Sequence, residues 1–200
     1  MKTLLFLSGL IFYSLSIVAS DLPPSAKVIV LKGEAFLDGV AIKENQIIDQ
    51  PGKITTGEKS FIKVYIEKWG NHLMIGPKSE MLLNFSDLKK YTLNSGSCRW
   101  ISAAKKTLNE KPKGGIFTAQ AAMGIRGTNF ILMTNPLFGE TEIVMFDGEV
   151  EFKSLKDDED KVSLKENQWG GIGGRFGQKI SRVITLNANQ LQALDSLLKE

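Results

Sequence analysis

Apolar and polar residues along this chain are spaced as in short strands broken by turns. Val28-Ile-Val-Leu31 is a continuous apolar run, closed by Gly33 and resumed at Ala35-Phe-Leu37 before an Asp38-Gly39 hairpin signal. From Ser60 to Glu67 the pattern alternates, with Ile62, Val64 and Ile66 on one face and Lys63 and Glu67 among the polar positions. Gly70-Asn71 breaks the run, Leu73-Met-Ile75 resumes it, and Gly76-Pro77 turns the chain towards Met81, Leu83 and Phe85. The alternation is clearest in Glu149-Val-Glu-Phe-Lys153, which predicts Val150 and Phe152 facing a core.

Strands at this spacing predict an all-β fold, either a short-stranded sandwich or a solenoid-like domain. Helices between parallel strands are missing from the pattern, which argues against a dinucleotide-binding architecture. One helix is predicted, at the C-terminus. Asn187 can cap it, Gln190 stands three residues on, and Leu191, Leu194, Leu197 and Leu198 form a stripe suited to docking on a sheet. Two segments also echo each other. Lys32-Gly-Glu-Ala-Phe-Leu37 with Lys43-Glu-Asn-Gln46 is matched by Asp147-Gly-Glu-Val-Glu-Phe152 with Lys165-Glu-Asn-Gln168. Such copies would stack as pseudo-symmetric halves, although two partial copies leave coincidence open.

The first residues read as an address. Lys2 precedes an uncharged apolar stretch from Leu4 to Val18, and Val18-Ala19-Ser20 offers a small-residue cleavage pattern. Residues 1–20 are therefore expected to be a signal peptide, with cleavage near Ser20/Asp21 and a periplasmic or secreted product. The competing expectation is an uncleaved N-terminal anchor. No transmembrane span is expected in the mature chain. Residues 21–178 are expected to form one β domain, with its core motif region at about 54–152, and residues 179–200 a terminal strand and helix.

Charge and candidate chemistry narrow the picture. Lys and Arg number 25 against 22 Asp and Glu, for a net charge of +3, so no nucleic-acid partner is expected. Cys98 is the one cysteine, and it fits a buried small apolar residue better than a reactive thiol. His72 is the one histidine and sits beside a turn signal, without a marked nucleophile. No metal site is expected, since one His and one Cys cannot complete a zinc site. Asp157-Asp-Glu-Asp160 lacks calcium-loop spacing and reads as a solvated tip. The glycines of Gly170-Gly-Ile-Gly-Gly-Arg-Phe-Gly177 are followed by a strand-like segment, which argues for a flexible connector and against a nucleotide loop or any other cofactor. A basic stretch containing Arg99, Lys105, Lys106, Lys111 and Lys113 is the candidate partner surface.

Met123-Gly-Ile-Arg-Gly-Thr-Asn-Phe130, followed by Phe146-Asp-Gly-Glu-Val150, resembles the signature of the FecR-domain family. The order of the other elements agrees: Ile54-Thr-Thr-Gly57, Leu73-Met-Ile-Gly-Pro-Lys-Ser79, Leu93 to Gly96, and Phe117-Thr-Ala119. The resemblance implies a FecR-type periplasmic β module in which Gly124, Arg126, Gly127, Thr128, Phe130, Gly148 and Val150 are structural. No counterpart of the family's anti-sigma segment or inner-membrane helix is read in this sequence, so the anti-sigma role is not expected to carry over. Gly127 would take the bend, Phe130 would anchor the strand, and the guanidinium of Arg126 would brace the turn.

The expectation is a non-enzymatic exported module that binds a protein or polysaccharide of the cell envelope. The alternatives are a signalling regulator held by the uncleaved N-terminal helix, and an envelope hydrolase acting on carbohydrate with a carboxylate pair, for which Glu149 and Glu151 are the candidates.

Overall fold

The computed structural model describes residues 25–67, 70–85, 90–102 and 115–198. The expected signal peptide lies outside these residues. The chain is all-β, with strands β1 (Ala26–Lys32), β2 (Ala35–Leu37), β3 (Val40–Ala41), β4 (Ile47–Ile48), β5 (Gly52–Thr56), β6 (Phe61–Ile66), β7 (Asn71–Ile75) and β8 (Glu80–Leu83). Three long strands dominate the remainder: β9 (Lys90–Ser102), β11 (Ala121–Asn135) and β12 (Glu140–Ser154). Around them lie β10 (Gly115–Phe117), β13 (Lys161–Lys165), β14 (Gln168–Ile172), β15 (Ile184–Thr185) and the terminal helix α1 (Ala188–Asp195).

Among the described residues all fifteen strands belong to one hydrogen-bonded sheet, which folds back on itself along the three long strands. Each long strand changes neighbours at a glycine. Residues 91–95 of β9 pair with β8, whereas residues 98–102 pair with β7; Gly96 lies between, at φ 84°. The N-terminal half of β11 pairs with β10, while residues 129–134 pair with β9, and the register shifts across Gly127. In β12, residues 141–144 pair with β14 and residues 149–153 with β13, with Gly148 between. Two layers result. One holds β4, β1, β6, β7 and the parts of β9, β11 and β12 that join β14 and β15. The other holds β3, β2, β5, β8, β10 and β13 with the remaining parts of the long strands.

Both layers contribute to a single apolar core. Ile62, Val64, Leu73 and Ile75 come from the first, and Ile54, Met81, Leu83, Met123, Val150 and Phe152 from the second. The alternation read in β6, β8 and β12 is realised, because period-two patterning places every second side chain on the inner face. Cys98 is fully buried in this core, and burial pushes its thiol well above the ordinary range.

The outer face of the first layer carries a smaller cluster. Phe61, Met74 and Ile131 meet Leu198, which follows α1 in a single 3-10 turn, Ser196–Leu198. Asn187 caps α1 by accepting the Gln190 backbone N–H at 3.0 Å, and the Gln190 side chain returns the contact to the Asn187 N–H at 2.9 Å. The helix itself buries no residue. It is tied down instead by Leu198 and by the ion pair of Asp195 with Arg99 at 2.7 Å.

The internal echo is structural. Gly33 and Gly148 both have positive φ, 73° and 83°, and each carries the chain from the first layer to the second. Asn45 and Asn167 both occupy the left-handed region, at φ 66° and 63°, where the chain returns. In both turns a lysine N–H donates to the glutamine three residues on, Lys43 to Gln46 at 3.0 Å and Lys165 to Gln168 at 2.8 Å. The asparagine N–H then donates to a strand carbonyl, Asn45 to Val28 at 2.9 Å and Asn167 to Met145 at 3.0 Å.

Candidate functional site

The signature turn sits where β11 changes layers. Gly124 pairs with Glu151 across β11 and β12, and the register breaks between Arg126 and Asn129. Gly127 takes φ 57°, and its carbonyl faces Gly148 so closely that a Cβ there would lie 2.5 Å from the oxygen. Phe130 and Val150 are fully buried, as is the Thr128 side chain, whose hydroxyl has no hydrogen-bond partner. The Arg126 side chain, expected to brace the turn, lies outside the described residues. These residues build the corner at which β11 and β12 change layers.

The basic stretch divides. Lys105, Lys106, Lys111 and Lys113 lie outside the described residues, but Arg99 does not belong on a partner surface. Its side chain is buried on β9, pairs with Asp195, donates to Asn129 Oδ1 at 3.0 Å and lies 4.8 Å from the centre of the Phe146 ring. Charge-assisted bonds and a ring contact fix it as the anchor of the terminal helix.

The carboxylates expected for a hydrolase point into solvent. Glu149 and Glu151 are exposed on β12, and Ser163 donates to Glu149 from β13. A different pair shares a hollow: Glu140 and Glu142, with Met133, Thr134, Asn135 and Arg175, line a cavity of about 170 Å³. The Arg175 guanidinium lies between them. It donates to both Glu142 oxygens at 2.8 Å and approaches Glu140 Oε1 to 3.1 Å, off the hydrogen-bond axis. Its face also rests near Phe176 and Trp169, and the Trp169 indole N–H donates to Glu142 at 3.0 Å. Both carboxylates are thus held beside one cation, and Arg175 occupies the space between them.

His72 lies one residue into β7, half-buried against the Tyr65 ring, rather than exposed in the turn. Burial and the neighbouring Lys63 charge hold its imidazole below the usual histidine range. Among the described residues no group of three or more His, Cys, Asp or Glu could hold a metal, and no helix is long and apolar enough to cross a membrane.

The glycine-rich segment is not a flexible connector. Gly170 and Gly171 are buried inside β14, and the Phe176 ring lies over Gly171. Gly173 packs directly on the Gly139 carbonyl of the β11–β12 hairpin, leaving no room for a side chain. This contact fixes one end of the molecule, where the hairpin tip Pro136–Gly139 stands beside the segment Gly173–Gln178 and the loop Leu155–Lys156. A cavity of about 250 Å³ opens between them, lined by Gln120, Phe138, Lys156, Ile172, Gln178 and glycines. At the tip Leu137 is 91% exposed and Phe138 68%, with Leu155 at 49% nearby. The tip geometry is set locally, since Asn135 Oδ1 accepts the Leu137 N–H at 3.1 Å. Leu137 and Phe138 were not among the expected site residues. The available signal was two large apolar residues between Pro136 and Gly139, where a turn ordinarily carries polar side chains.

No protein-family model matches the chain, and a search of curated proteins returns no match. Two crystal structures of a "putative anti-sigma factor" from Parabacteroides distasonis share its architecture, with TM-scores of 0.57 and 0.56 at 14% identity. The matches cover 72% and 71% of this chain, which spans 63% of the length of that protein.

Proposed function

We propose that this chain is a non-enzymatic FecR-like β module, exported to the cell envelope, where it docks a protein partner on its β11–β12 hairpin tip. The observation that carries the docking reading is the exposed Leu137-Phe138 pair on a turn pinned by Gly173 and Asn135. Adjacent large apolar side chains held rigidly in solvent suit an anchor that inserts into a partner's pocket, because little side-chain and loop order remains to be lost on binding. The order of motifs from Gly33 to Val150 supports the FecR-like assignment, and the fold shared with an anti-sigma candidate agrees with a regulatory setting. The apolar leader up to Ser20 supports export. The non-enzymatic reading draws support from the carboxylate geometry: the exposed Glu149 and Glu151 line neither of the two cavities described at this end, and Glu140 and Glu142 are clamped by Arg175.

Photo-crosslinking in intact cells of the source organism tests this reading. A photoreactive residue at position 137 should yield a discrete protein adduct that is missing when the same residue stands at the exposed Val40 on β3. Identical patterns from the two positions, or no adduct from 137, would overturn the docking site. Mass measurement of the mature chain tests the location separately: a first residue at Asp21 is expected, and a retained Met1 would sink cleaved export.

A further inference from the structure

The cavity beneath Phe138 has a chemistry that a protein anchor does not explain. It is mostly walled by glycine, Ile172 and the Phe138 ring, with the carboxamides of Gln120 and Gln178 and one cation, Lys156. At about 250 Å³ it falls below the roughly 300–1,000 Å³ of an ordinary small-molecule pocket, so it takes a single ring.

One of its polar groups is oriented from inside the protein. Thr118 Oγ1 accepts the backbone N–H groups of Gln120 and Ala121 at 3.2 and 3.1 Å, so its own proton is free to go to Thr141, 2.8 Å away. Thr141, fully buried, then donates to Gln120 Oε1 at 3.0 Å. Thr134 closes the cluster by donating to the Glu140 carbonyl at 2.7 Å. With the oxygen of Gln120 engaged inwards by Thr141, its Nε2 is left on the cavity side near Gly139, with no acceptor among the described residues.

We infer that this cavity is a subsite for one carboxylate-bearing sugar ring of an acidic glycan. The C–H face of a pyranose would lie on the exposed Phe138 ring, where dispersion contacts and water exclusion reward a flat apolar surface. Gln120 Nε2 would donate to a ring hydroxyl, in an orientation already fixed by the threonine cluster. Lys156, the one charged residue of the lining, would pair with the sugar carboxylate. The lining lacks the several converging donors that phosphate recognition uses. The inference goes beyond the docking of a protein partner and does not require it: the two share the Phe138 ring, but the subsite leaves Leu137 aside.

The test is saturation-transfer NMR with calorimetry on the full mature chain, using a hexuronic-acid trisaccharide and its carboxyl-reduced neutral counterpart. The acidic probe should bind, and the neutral one about tenfold more weakly. Gln120→Glu keeps an acceptor for Thr141 but turns the donor into a carboxylate, so it should weaken the acidic probe at least about tenfold. Phe138→Ala, at a solvent-facing position, should do the same without touching the fold. Leu137→Ser should change nothing here, which separates this subsite from the protein-docking tip. Wild-type chain that binds neither probe, or acidic-probe affinity that survives both Phe138→Ala and Gln120→Glu, would overturn the inference. Should Gln120→Glu fail to fold, Phe138→Ala alone decides.

Discussion

The two copies of the Gly-Glu and Lys-Glu-Asn-Gln unit use the same backbone devices, but the loop of the second walls the cavity beneath Phe138. In the first copy, β2 and β3 are joined by Asp38-Gly39, with φ 49° and 83°, the left-handed pair that a two-residue hairpin requires. In the second, β12 and β13 are joined by residues 155–160, and that longer loop supplies the Lys156 wall. The crossings also differ. At Gly33 the neighbouring Ser60 hydroxyl accepts the Glu34 N–H at 2.8 Å, whereas at Gly148 the space is filled by the Gly127 carbonyl and Thr128. Conserving the corner while varying the loop separates what folds the unit from what it recognises.

The corners should give the largest effects. Gly148→Ala forces a Cβ into the left-handed region and to 2.5 Å from a backbone oxygen that cannot move without opening the β11 bulge. A loss of about 3 kcal/mol is expected in urea denaturation. Gly33→Ala meets the same φ penalty but mainly crowds the Ser60 side chain, so about 2 kcal/mol is expected. If the order were reversed, the backbone contact at Gly148 would not be the tighter of the two crossings.

The returning turns should be alike. Asn45→Ala and Asn167→Ala each place alanine at positive φ and should cost about 1 kcal/mol, with Asn→Gly nearly neutral at both sites. A cost confined to one copy would show that the two turns share a shape but not an energetic role.

These turns also mark how far the sequence could be read. Gly-Glu and Lys-Glu-Asn-Gln were legible because a positive φ demands particular residues, and a repeated demand leaves a repeated string. The β12 alternation and the Asn187 cap were legible for the same local reason. Arg99 was not, because nothing near it in sequence reveals that Asp195 and Phe146 meet it. The glycine run misled, since glycines that leave room for Phe176 and for the Gly139 carbonyl look the same in sequence as glycines that confer freedom. Gln120, just before β11, is turned by the buried Thr141 of β12, a tertiary fact without a local trace.

Grafting the first copy's turn onto the second would sharpen the comparison directly. Replacing Leu155–Glu159 by Asp-Gly keeps Ser154 opposite Asp160, whose carbonyl accepts the Ser154 N–H at 2.9 Å. Asp160 would also keep its bond from the Ile180 N–H. The bond from the Leu155 N–H to the Gln120 carbonyl would go, partly offset by the shorter loop, so a net change within about 1 kcal/mol is expected. The grafted chain should melt cooperatively and lose binding of the acidic trisaccharide. A graft that binds as the parent does would remove Lys156 and its loop from the subsite.

The smallest effect expected is at the acidic tip that distinguishes the second copy. Asp158 meets Lys153 at 2.8 Å, and this partner holds its carboxyl below the ordinary range. A depressed carboxyl contributes stability that is present above its unfolded pKa and is lost as pH falls through its folded pKa. Here, however, the carboxylate is in open solvent, where screening and the entropy of two long side chains cancel most of the attraction. Asp158→Asn should therefore leave the melting temperature unaltered at neutral pH, and the acid limbs of the two stability curves should superimpose. A wild-type loss of stability in the carboxylate range that the variant lacks would make the tip a fold-stabilising device. With superimposed curves, the insertion is neutral ballast for folding, free to vary in sequence while the corner at Gly148 is not.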